Sequence, residues 1–137
     1  MSNSFALHPR LAADTVALGD WPLCRLLLMN DARFPWLILV PARPDLREIH
    51  DLPPADRTTL IEEIARASAQ MQQAFKADKM NVAALGNQVP QLHIHVIARF
   101  ASDSAWPNPI WGQGQGRAMS EAERAERIRL LQPLLLR

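Results

Sequence analysis

The sequence has a single cysteine, Cys24, almost no net charge and no apolar run of membrane-spanning length. A lone thiol excludes an intrachain disulfide and a cysteine-based zinc site, and it fits a reducing cytoplasm. A formal net charge of +1 at pH 7 gives no field for gathering nucleic acid. An anionic ligand has to be caught by a local arrangement of groups. The stretch Trp36 to Val40 is apolar, but Pro41 and Arg43 end it far short of the roughly 20 residues a membrane helix needs. Met1 to Phe5 carries neither the basic nor the apolar region of a signal peptide, so no export leader is expected. No internal repeat or low-complexity linker divides the chain.

What is present is enough for one ordinary core. With 137 residues, 48% of them hydrophobic, the expectation is a single domain over 1–137. Its core spans about 20–100, followed by a tryptophan- and proline-rich loop and a helix over 101–137. Phe5 to Leu7 and Thr15 to Leu18 read as short strands, the second closed by Gly19-Asp20. Cys24 to Met29 and Trp36 to Val40 are apolar on both faces, and the polar break between them predicts an antiparallel hairpin. Leu60, Ile64, Ala67, Met71 and Phe75 recur at helical spacing and predict a helix over 54–77, with Glu62, Glu63, Arg66 and Gln70 outward. Met80 to Leu85 reads as a strand, ended by the turn signal Gly86-Asn87. Ser120 and Glu123 have the spacing of a capping box, which starts a terminal helix over 121–132. Strands, a long helix, then strands again give an α+β fold with a mainly antiparallel sheet.

The chemistry is concentrated in Gln91-Leu92-His93-Ile94-His95-Val96-Ile97. Strict alternation predicts a strand with Leu92, Ile94 and Val96 facing the core. Gln91, His93 and His95 then share the other face, with Ile97 and Arg99 further along it. Three readings of the histidine pair follow. It is a polar row on an open sheet face. Or it donates two nitrogens to a metal with His50 as a third, although no acidic residue follows closely and no cysteine helps. Or one imidazole is a nucleophile for phosphorus, the second a hydrogen-bond donor to the phosphoryl oxygens, and an acceptor fixes the nucleophile's tautomer.

The segment Val89 to Arg99 resembles the signature of the histidine triad (HIT) superfamily, His-φ-His-φ-His-φ-φ with φ apolar. Asn30-Asp31, the strand Leu37 to Pro41, Arg43-Pro44 through His50-Asp51-Leu52, and the helix before Met80 resemble the family's other parts in order and spacing. The resemblance covers roughly residues 20–100. It implies a HIT-like sheet of about five strands with one long helix and a C-terminal helix, and a homodimer. It also implies a nucleotide hydrolase or transferase that cleaves at the α-phosphate of a dinucleoside polyphosphate or nucleoside phosphoramidate. By motif position His93 attacks, His95 contacts the phosphate and protonates the leaving group, and His50 and Gln91 orient. No metal belongs in the histidine site, though Mg²⁺ could accompany the substrate. Asn30, Asp31, Asn81, Asn87, Gln88 and Arg99 are candidate nucleotide contacts. Trp106 and Trp111 either stack on a base or pin their loop. One departure stands out: the first triad histidine is Gln91, which hydrogen-bonds but carries no proton at neutral pH. That motivates an alternative, a nucleotide-binding module with little or no catalysis.

Overall fold

Apolar stretches separated by Gly-Asp and Asn-Asp breaks enter three successive strands, β1 Thr15–Asp20, β2 Cys24–Met29 and β3 Trp36–Pro41. In the computed structural model, which describes residues 4–137, these pair antiparallel in sequence order. Two further strands, β4 Lys79–Ala83 and β5 Ile94–Arg99, complete an open five-stranded sheet. Its order is β1-β2-β3-β5-β4, and every neighbouring pair is antiparallel. The expected α+β architecture is therefore the observed one. Among the described residues no helix is long and apolar enough to cross a membrane. Met1 to Asn3, part of the stretch read for a leader, lie outside the described residues.

Both faces of the sheet are covered, which is why β2 and β3 are apolar on both sides. Helix α2, Pro54–Phe75, lays Leu60, Ile64, Ala67 and Met71 on one face, against Leu26, Leu37, Leu39, Ile94 and Val96. Proline at its first turn opens it, and Lys76 in the left-handed region closes it. The other face holds a smaller core of Leu11, Leu27, Phe34, Ile38, Ile97, Ala105 and Ile110. The N-terminal segment and the 101–113 loop cover that face, and the histidines point to it. The C-terminal helix, Glu121–Leu135, opens with the expected capping box: Glu123 N–H donates to Ser120 Oγ at 3.1 Å and Ser120 N–H to Glu123 Oε1 at 3.0 Å.

Three expectations change. Phe5 to Leu7 is not a strand; a six-residue helix, α1 Pro9–Asp14, follows it. The backbone there is satisfied by a side chain instead of a ladder, since Gln91 Nε2 donates to Ala6 O at 2.9 Å and His8 N–H donates to Gln91 Oε1 at 2.8 Å. The histidine strand is regular only from Ile94, so Gln91 sits in the bend before it. The third change concerns α2. Of the residues expected outward, Glu63 is 7% exposed and accepts the backbone N–H of Leu23 at 3.0 Å and of Cys24 at 2.9 Å. Arg66 and Gln70 donate to the carbonyls of Leu135 and Leu134 at the end of the C-terminal helix, α3. Those carbonyls have no partner within their own helix, so neighbouring donors must supply one.

Glu63 also acts on Cys24, whose thiol is pushed well above the ordinary range first by burial and then by this carboxylate. Replacing Glu63 with alanine leaves two buried amides unsatisfied. The expected loss is about 2–3 kcal/mol of unfolding free energy in a urea titration, and Glu63→Gln, which keeps an acceptor, should lose less.

Candidate active site

β5 and the two residues before it carry the site, because alternation places His93, His95, Ile97 and Arg99 on one side and Leu92, Ile94, Val96 and Ala98 on the other. The imidazoles of His93 and His95 meet edge to face, with ring centroids 4.9 Å apart and planes at 72°. Both residues are 6% exposed.

Each ring has one nitrogen already engaged. His93 Nδ1 lies 2.7 Å from the backbone carbonyl of Gln91. A carbonyl only accepts, so Nδ1 carries a proton and, in the neutral ring, Nε2 carries the lone pair. His95 Nδ1 lies 3.0 Å from the indole Nε1 of Trp36. An indole N–H only donates, so this nitrogen is the acceptor and Nε2–H is the proton-bearing side. Burial, and after it the neighbouring His93, pushes His95 down to about 4. His95 is therefore neutral at physiological pH and presents a donor.

The register explains how Trp36 reaches this ring. Trp36 pairs with Ile97 and Ile38 with His95, so Trp36 lies diagonal to His95 across β3 and β5, on the same face. Trp111 closes the group from the 101–113 loop, its ring edge-on 5.0 Å from His95 and 6.1 Å from Trp36.

Two cavities meet His93. The larger, of about 360 Å³, is lined by Leu11, Met29, Trp36, Ile38, the Leu85–Val89 turn, His93, His95 and Trp111. Its mixture of apolar walls and a few convergent polar groups suits a flat organic group joined to a polar one. The smaller, of about 180 Å³, is lined by Arg47, Glu48, His50, Leu85, Gly86, Leu92 and His93. Gly86 borders both, at φ 75°, a left-handed conformation that glycine adopts without strain. Asn87 and Gln88 follow it and line the larger cavity, where the sequence reading puts candidate ligand contacts.

The other expected residues fall elsewhere. His50 is in a short 3₁₀ turn, Ile49–Asp51, exposed, and borders the smaller cavity with His93; its imidazole hydrogen-bonds to no described residue. Gln91 contributes its backbone to the site, while its side chain holds the N-terminal segment. Arg99 is not a solvated strand end. It is 2% exposed, with Nε 2.8 Å from Asp103 Oδ2 and Nη1 2.8 Å from Asn81 Oδ1. That contact also occupies Asn81. Asn30 Oδ1 accepts Met119 N–H at 2.9 Å, and Asp31, 5% exposed, pairs with Arg33 at 2.9 Å. Asn30 by this contact, and Asp31 by its backbone carbonyl, which accepts Arg127 Nη1 at 2.9 Å, tie the β2–β3 turn to the C-terminal segment, and none of these four residues lines either cavity. Of the two loop tryptophans, Trp106 packs over the Arg99 guanidinium, 5.8 Å from ring centre to Cζ, and only Trp111 enters the site. Among the described residues no group of three histidine, cysteine or acidic side chains is placed to hold a metal ion.

Trp36 is the residue that sequence reasoning passed over, because an aromatic at the head of an apolar run reads as core. Its parity with Ile38 gives its face, but only the β3–β5 register puts a donor beside His95.

The HIT domain family model matches residues 10–102. Solved structures agree along more than nine tenths of the chain. A histidine triad protein from Marinobacter aquaeolei is 49% identical, with a TM-score of 0.95, covering 98% of this chain and 98% of that one. A histidine triad protein from Bradyrhizobium japonicum is 46% identical, with a TM-score of 0.93, over 96% and 98% of the two chains. One from Sinorhizobium meliloti is 45% identical, with a TM-score of 0.87, over 91% and 95%. No match is found among curated proteins.

Proposed function

Taking as premise that this chain belongs to the histidine triad (HIT) family, as its family match and its relatives establish, we propose that it cleaves nucleotides at the α-phosphate through a nucleotidyl-histidine intermediate. One observation carries the reading: the Gln91 carbonyl fixes a proton of His93 on Nδ1, so that in the neutral ring Nε2 carries the lone pair, on a ring that borders the cleft. In the first half-reaction the Nε2 lone pair attacks the α-phosphorus, the bond to the leaving group breaks with its electron pair, and His93 becomes nucleotidylated. His95 Nε2–H donates a hydrogen bond to a phosphoryl oxygen as charge gathers there. In the second, water attacks phosphorus and loses a proton to solvent, the P–N bond breaks, the nucleoside monophosphate departs and the lone pair returns to His93 Nε2. The sheet holds both rings, so little freedom is lost on reaching the transition state.

The Gln91 side chain faces the N-terminal segment, and the group that orients His93 is a backbone carbonyl, which any residue supplies. This favours turnover over the alternative of a binding module without catalysis. The test is mass spectrometry of the intact protein quenched during turnover of a dinucleoside polyphosphate or an adenosine phosphoramidate. A mass increase of one nucleoside monophosphate supports the reading; tight AMP binding with neither adduct nor product supports the module.

Trp111 and the Leu85–Val89 turn would flank the nucleoside, with Asn87 and Gln88 as its polar contacts and His50 facing the leaving group across the smaller cavity. Trp111→Ala is expected to raise KM for the nucleotide about five- to tenfold, the weight of one stacked aromatic, with a smaller change in kcat in steady-state assays. No metal takes part at the histidines in this scheme; Mg²⁺ would act only on the substrate's phosphates. A homodimer in a reducing cytoplasm completes the proposal. The unpaired edge of β4, where Val82 is 47% exposed, is a surface for the second copy, and light scattering reads the dimer.

A further inference from the structure

We propose that Trp36 is a positioning residue that locks His95 as a neutral Nε2–H donor, and that the site therefore favours leaving groups that depart as stable anions over amines that must gain a proton to leave. This rests on the nucleotidyl transfer proposed above and narrows its substrate class to phosphoanhydrides.

The argument starts from the Trp36 Nε1–H to His95 Nδ1 hydrogen bond of 3.0 Å, with Trp36 at 5% and His95 at 6% exposure. To become an imidazolium, His95 would have to take a proton at Nδ1. That nitrogen already receives an indole N–H, which cannot reverse its direction. Two donors would then point at one another in a nearly dry site, and the His93 ring lies 4.9 Å away. Burial and His93 both oppose the charge. The remaining titratable groups around the pair are Arg10 and Asp14, which line the cleft and pair with one another at 3.7 Å, and the exposed Arg47, Glu48 and His50 across the smaller cavity. None supplies a buried proton beside His95.

The consequence depends on the bond that breaks. With a phosphoanhydride, N–P forms, P–O breaks, and a phosphate leaves with the electron pair as a stable anion. With a phosphoramidate, N–P forms and the other P–N breaks, and the departing nitrogen needs a proton at that moment. A neutral His95 that gave up Nε2–H would become an imidazolate, so that proton must come from solvent or from the exposed groups.

Two measurements test this. Nitrogen NMR of the histidines in the wild-type protein, from pH 8 to 5, is expected to show His95 as a single neutral Nε2–H tautomer. In Trp36→Phe, which keeps an aromatic ring but no N–H, His95 should populate both tautomers and titrate closer to the usual value near 6.5. Beside this, kcat/KM for diadenosine tetraphosphate should exceed that for an adenosine phosphoramidate at least about tenfold, and Trp36→Phe should narrow the ratio. A wild-type His95 that titrates as an imidazolium near neutrality overturns the lock. A ratio below about ten, or one that Trp36→Phe leaves unchanged, overturns the leaving-group preference. If neither substrate nucleotidylates His93, the transfer reading fails and the preference with it, while the wild-type NMR still decides the role of Trp36. The wild-type measurements stand even if the variant does not fold.

Discussion

His93→Ala is expected to abolish the nucleotidyl adduct and to lower kcat at least about 10³-fold, with the protein still folded and still binding AMP. The size follows from what is removed. In the proposed reaction His93 supplies the bond-forming lone pair, and neither strand neighbour can replace it: His95 has Nδ1 occupied by Trp36 and Nε2 protonated, and Gln91 turns its amide to the N-terminal segment. The cavity left by one imidazole at a residue 6% exposed costs far less than the chemistry. Added imidazole that restores part of the rate without an adduct on the protein would support the same role. An adduct of unchanged yield in His93→Ala would rule His93 out as the nucleophile.

The largest loss of stability is expected from Asp103→Ala, about 3–5 kcal/mol, because it strands a buried guanidinium. Arg99 and Asp103 side chains are 2% and 4% exposed and 2.8 Å apart. The carboxylate also accepts the backbone N–H groups of Phe100, Ala105 and Trp106, so it shapes the turn that begins the Trp111 loop. Loss of activity should accompany loss of stability, since Trp111 depends on that loop. The pair also sets a limit in acid. Burial works against the charge, but Arg99 and the backbone donors outweigh it and hold Asp103 at about 2. An unfolded aspartate titrates near 3.9. A folded value below the unfolded one gives stability that is complete above about pH 4 and is lost as pH falls towards 2. Thermal melts of the wild type should show this acid loss, and melts of Asp103→Asn should show less of it.

The fold was readable wherever local pattern and burial agree. Two double-faced apolar runs, one long amphipathic stretch and an alternating histidine segment lead to β2, β3, α2 and β5 with boundaries within a few residues. The misreadings share a cause. Glu63, Arg66 and Gln70 look like a solvent face until α3 lays its C-terminal carbonyls beside two of them and the loop before β2 presents two amides to the third. Arg99 reads as a strand-end cation because nothing local announces that Asp103 turns back to meet it. Asn30 and Asp31 read equally well as ligand contacts or turn residues, and in the structure they hold the C-terminal segment. The shared face of His93 and His95 was visible in the strand pattern. The tautomer of His95 was not, because it is set by Trp36 on another strand, through a register no single sequence displays.

The account depends on His93 Nε2 facing phosphorus, and the most direct measurement is a crystal of the wild-type protein soaked with AMP. The prediction places the α-phosphorus about 3–3.5 Å from His93 Nε2. His95 Nε2 should be within hydrogen-bond reach of a phosphoryl oxygen, and the nucleoside should lie along the cleft that Trp111 borders. A phosphate held away from His93, against Arg47 and Glu48 or outside both cavities, would contradict it.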